Sequence, residues 1–147
     1  MKTIRLIFLF AALAGLFSTA HAADRARIQG ILISASNDQG KTDQRLAAYE
    51  PTLKRILRFE SYRFLGDDSA SLAVPESGQL SIGDGHQLEV VTESADGKGI
   101  HVRVRWTQGG RTLMNTGLVL RAGVPAVLGG PSTGKKGEVY AVIVVGR

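Results

Sequence analysis

"GGPSTGKKGEVYAVIVVG", Gly129 to Gly146, admits two readings, and the choice between them decides the fold. Gly129, four residues, Gly134 and Lys135 make up most of a phosphate-binding P-loop, G-x-x-x-x-G-K-[ST], which would predict a nucleotide-binding α/β domain. A P-loop works because a strand ends in a glycine-rich turn that opens a helix. The backbone amides and the helix N-terminus hold the phosphates, and the Ser/Thr hydroxyl ligates magnesium. Here Lys136 stands in the Ser/Thr position. The residues after it are β-branched and aromatic, which predicts a strand and no helix. The stretch therefore reads as a glycine-rich loop joining two strands, with Lys135 and Lys136 solvated on it.

Working outward, the chain is β-rich on both sides of that loop. "RIQGILISASN", Arg27 to Asn37, is a nearly continuous apolar run and predicts a strand covered on both faces, as does the last strand over Glu138–Gly146. These two most apolar strands are expected to be neighbours at the centre of a sheet. "SYRFLG" and "SASLAV" read as separate short strands, with Asp67-Asp68 as a turn between them. "GQLSIG" follows Pro75 and Gly78, and "HQLEVVTE" pairs with "IHVRVRW" across the Asp96-Gly97 hairpin signal. "QGGR" is a turn before "TLMNTGLVL", and "AGVPAVLGG" is a short strand. One helical segment interrupts the pattern. Leu46, Tyr49, Leu53, Ile56 and Leu57 form an apolar stripe, Asp43 is a suitable N-cap, and Pro51 suits the first turn of a helix ending near Arg58. The fold class expected is α+β: a mainly antiparallel β-sandwich or partial barrel with one short helix packed on it.

The ends of the chain bear on where the protein works. Lys2 and Arg5, the apolar run Leu6–Phe17 and the small residues Ala20 and Ala22 predict a signal peptide over residues 1–22, cut before Ala23. The 12-residue apolar run is too short to cross the roughly 30 Å of bilayer hydrocarbon, so no stable membrane insertion is expected after cleavage. Residues 23–147 then form a single β-rich domain in the periplasm or outside the cell. Losing Lys2 and Arg5 leaves 16 basic against 13 acidic residues, a mild net +3 that argues against nucleic acid as a partner. There is no cysteine, hence no disulfide, thiol nucleophile or thiolate metal site.

Several residue groups are candidates for chemistry. His101, Arg103 and Arg105 alternate with Val102, Val104 and Trp106, which puts the basic side chains on one strand face. With the Lys135-Lys136 loop they are the candidate anion-binding residues, suited to phosphate or carboxylate on a glycan or lipid. The alternative is ordinary cross-strand pairing. Either register that keeps Leu88, Val90, Val102 and Val104 on one face sets Glu89 opposite Arg103 or Arg105. A metal centre needs three or more converging ligands. Only His86 and His101 remain in the exported part, with Asp84 and Met114 as weak companions, and His86 is expected to be exposed in the "GDGHQ" turn. Ser34, Ser36, Ser61, Ser69 and Ser71 lie in no G-x-S-x-G or S-x-x-K context. Adjacent Asp67 and Asp68 face opposite ways, which suits no glycosidase pair. Trp106, Tyr62, Phe59 and Phe64 read as core, and with 6% aromatics the chain does not offer a stacked-ring sugar platform. No cofactor and no catalytic residue is expected.

Leu120–Gly146 resembles the C-terminal hairpin of the secretin family of outer-membrane secretion rings, in which a strand, a glycine turn and a second strand follow one another. The wider layout is similar to small exported proteins of Gram-negative bacteria, where a "YRFLG" segment precedes a β-meander ending in "GGP". Neither likeness transfers an activity or a catalytic residue; the expectation of a role beside an envelope component, such as a secretion or pilus assembly, rests on the export signal, the small size and the lack of a reaction centre. The leading expectation is a non-catalytic exported protein with an envelope protein partner. An anion-binding module is the first alternative, and a hydrolase with an unrecognised site is the second.

Overall fold

The computed structural model describes residues 25–38 and 40–147. The signal-peptide assignment and the cleavage residues Ala20, Ala22 and Ala23 lie outside the described residues. Eight strands form two four-stranded sheets: β1 (Arg25–Ser36), β2 (Ser61–Ala73), β3 (Glu76–Gly83), β4 (His86–Asp96), β5 (Gly99–Gln108), β6 (Arg111–Leu120), β7 (Ala126–Ser132) and β8 (Glu138–Gly146). The first sheet has the order β2-β1-β8-β7, the second β3-β4-β5-β6, and every strand pairing is antiparallel. The first and last strands are therefore central neighbours, as their two-sided apolar pattern predicts. The Gly129–Lys136 stretch runs from β7 through a turn into β8, with no helix after it.

The burial pattern explains the two faces. Ile28, Leu32, Val142 and Val144 point inward and pack against Leu88, Val90, Val104 and Trp106 of the second sheet. Ile31, Ile33, Ala141 and Ile143 point outward and are covered by the segment between β1 and β2. That segment holds a 3-10 turn (Gln44–Leu46) and the helix α1 (Glu50–Leu57), with Pro51 in its first turn. The Asp43 side chain accepts from the Arg45 amide at 3.0 Å and from its guanidinium at 2.8 Å, which holds the carboxyl down to about 2. Leu46 and Leu53 are fully buried on the sheet.

Two local expectations are corrected. Ile56 does not belong to the buried stripe and is 48% exposed. The contact line of this two-turn helix runs through Leu53 and Leu57, and Ile56 is turned about 100° from Leu57. "SYRFLG" and "SASLA" are one strand, β2, bent by a bulge at its pairing with Leu32 and Ile33. Asp67 and Asp68 lie within it and are not a turn. Asp67 accepts from Gln29 Nε2 at 3.0 Å, and Asp68 accepts from the Ser81 amide of β3 at 3.0 Å.

That Asp68 contact marks the corner where the two sheets meet. Gly66 lies so close to the Ile82 carbonyl that an added Cβ would overlap it. A second stitch is Thr92, fully buried, which donates to the Ala73 carbonyl at 2.6 Å and accepts from the Glu76 amide at 2.8 Å. Thr92→Val keeps the shape and leaves both backbone groups unpaired. The expected loss is about 1–3 kcal/mol in denaturant unfolding, and an unchanged midpoint would show that the hydroxyl holds nothing.

Candidate binding surfaces

The basic stripe lies on the outer face of the second sheet. Arg105 pairs in register with Glu89 on one side and Asn115 on the other, and its guanidinium reaches Glu89 at 3.3 Å. His101 Nε2 lies 2.9 Å from Asp96, whose carboxyl is held below its ordinary range by the Lys98 amide and then by His101. Arg103 stands between Val91 and Gly117 and has no carboxylate within 4.0 Å among the described residues. The cross-strand pairing thus accounts for two of the three basic residues. Around Arg103, the exposed Val119 and the half-buried Val91 leave part of this face apolar.

Lys135 and Lys136 belong to the loop between β7 and β8, on the other sheet. Serine and threonine hydroxyls shape that loop, with the Gly134 amide on Ser132 at 3.1 Å and the Lys135 amide on Thr133 at 3.3 Å. Lys135 faces a polar cleft at one end of the sandwich, whereas Lys136 is exposed and does not line it. The five candidate anion-binding residues therefore do not form one site.

Between the sheets, near that same end, is a buried polar cluster. The turn Gly83–Gly85 carries Asp84 at a positive φ of 53° and starts β4 at His86. His86 is 1% exposed, so the expectation of a solvent-exposed turn histidine is corrected. Its Nδ1 accepts from Trp106 Nε1 at 2.8 Å, which places the proton of the neutral ring on Nε2. Nε2 has no hydrogen-bond partner among the described residues. Tyr140 packs on the ring at 4.4 Å between centroids and donates to Asp84 at 2.8 Å. That hydrogen bond, and then burial, raises the Tyr140 hydroxyl above its ordinary pKa. Burial lowers His86 below its own, and the charge of Asp84 opposes this. An imidazole whose Nδ1 is spent on an indole, with no hydroxyl on its Nε2, is built to hold Trp106 in place.

Trp106 in turn fixes its neighbour on β7. A Cβ on Gly130 would overlap the indole ring and sit 3.0 Å from the Tyr140 carbonyl. Among the described residues no group of three or more His, Asp or Glu side chains converges as a metal site would require. No family model, curated protein or solved structure matches this chain.

Proposed function

We propose that this chain is a non-catalytic exported protein that supports a component of the Gram-negative envelope, such as a secretion or pilus assembly, and that it docks through the outer face of β3–β6. The observation that carries the reading is the asymmetry of the two sheets. The first is covered on one face by the helical segment and on the other by the second sheet. The outer face of the second is open among the described residues, with Val119 45% exposed beside Arg103. An apolar-flanked cation with no carboxylate within 4.0 Å among the described residues favours a partner that supplies the acid.

The test is a crosslinked pull-down of tagged protein from its own cell envelope, at low and high salt, beside an Arg103→Glu, Val119→Lys variant. One envelope complex, retained at high salt and lost with the variant, supports docking through this face. Recovery of no protein, or equal recovery with the variant, overturns it.

A second reading, an anion-binding module for phosphate-bearing glycan or lipid, draws on the same Arg103. It predicts binding that weakens steeply with salt and disappears in an Arg103→Ala, Arg105→Ala double variant.

A further inference from the structure

The apolar core of the sandwich stops one row short of the ends of β1 and β8. On the inner face of the first sheet, Ser34 pairs with Arg63 of β2 on one side and Tyr140 of β8 on the other. Tyr140 is the last core side chain, and its hydroxyl is turned to Asp84. The next row inward-facing is Ser61, Ser36 and Glu138. Ser36 and Ser61 are direct cross-strand partners, about 4.5–5.5 Å apart at Cβ, and Ser34 lies two residues back along β1 on the same face, so the three serines floor one patch of the sheet. Asp38, Gly40, Lys41 and Lys135 line the same cleft, which has a volume of about 230 Å³.

The polar groups in this cleft are unevenly satisfied. Ser61 Oγ donates to the Asp38 carbonyl at 3.1 Å and lies 3.2 Å from Ser36 Oγ. Ser34 is 4% exposed and lines the cleft. The cations come from three separate segments: Lys41 from the loop after β1, Arg63 from β2, and Lys135 from the β7–β8 loop. None has a carboxylate within 4.0 Å among the described residues. Two acids, Asp38 and Glu138, also line the cleft and can accept from hydroxyl groups of a ligand.

We infer that this serine-floored cleft binds an oxyanion, phosphate or carboxylate, carried on a hydroxylated ligand of sugar size. Three cations from different segments fix the anion, with the Ser34 hydroxyl as a donor on the floor. The two acids meet the hydroxyls around it. The site is separate from the docking face, because it lies on the other sheet and shares no residue with it.

Amide chemical shifts of the purified protein report on it directly, at constant ionic strength, with inorganic phosphate, glucose 6-phosphate, glucuronate and neutral glucose as probes. The expected result is saturable shifts at Ser34, Ser36, Ser61 and Lys135 with at least one anion and none with glucose. A response to both phosphate probes and not to glucuronate assigns phosphate as the anion, and the reverse assigns carboxylate. Lys135→Ala with Arg63→Ala, both exposed side chains, should weaken binding about tenfold or more, and Ser34→Val should abolish it with the spectrum otherwise retained. No saturable shift with any anion, equal shifts with glucose, or unchanged affinity in the Lys135, Arg63 variant would overturn the inference. The Arg103→Glu, Val119→Lys variant should bind the probes as the parent does, which keeps this test distinct from the docking test.

Discussion

Trp106→Ala will lower the free energy of unfolding by about 3–5 kcal/mol, the range for removing a large aromatic from a packed core. The indole is fully buried between the sheets, and its edge occupies the space that Gly130 leaves open. Removing it leaves a cavity that the neighbouring strands cannot close, because β5 and β7 are each held in their own sheets. It also deprives His86 Nδ1 of its donor. Trp106→Phe keeps much of the ring and loses only the donor, so its cost should be clearly smaller. Because Trp106 is the only tryptophan, urea unfolding is best followed by circular dichroism. A loss below about 1 kcal/mol for the alanine variant would contradict a core role, given the cavity cost expected.

His86→Ala should be comparably damaging, about 3 kcal/mol or more, since it combines a cavity with an indole N–H left buried without an acceptor. The same residue sets a pH dependence. Burial holds the folded-state pKa of His86 below its ordinary 6.5. The unfolded chain therefore takes up the proton more readily than the folded one. Stability should fall as pH drops below about 6.5, and the fall continues until the folded-state pKa is passed. Protonation would also place two donors, Nδ1–H and the indole N–H, against each other. His86→Asn retains an acceptor without a titrating ring, and it leaves His101 in place. Unfolding free energies at neutral and mildly acidic pH should show a steeper acid loss in the parent than in His86→Asn. Equal slopes would mean that His86 does not couple protonation to folding.

The sequence carried this cluster in a form that is easy to pass over. Leu88 and Val90 face the core, and one further step back along the same alternation puts His86 on that face as well. The glycine-rich "GDGHQ" context suggests an exposed turn because the turn residues Gly83–Gly85 and the first strand residue are run together. The central position of β1 and β8 was legible, because a strand apolar on both faces needs covers on both. Parity narrowed the partner of Glu89 to Arg103 or Arg105, and the register makes it Arg105. What could not be read was β2. Asp67-Asp68 in the middle of a strand looks like a turn until a second sheet supplies Ser81 as the partner for Asp68. The serine floor was hidden for the same reason. Ser34 and Ser36 are neighbours of Ser61 only through a β1–β2 register that the bulge shifts, and no local pattern encodes that shift.

The pairing of β1 with β8 also governs when the molecule can become itself. Arg27 and Arg147 exchange backbone hydrogen bonds at 3.0 and 2.8 Å, so nearly the whole domain lies between two residues that must meet. A growing chain that has reached Lys135 has every other strand and still lacks the nine-residue strand at the middle of its first sheet. Ile31 and Ile33 then have no neighbour on that side, and the loop to be closed is as long as the domain, which makes the final step slow. A chain threaded through a narrow pore would pass through it as an open polymer and close only after β8 had cleared the far side.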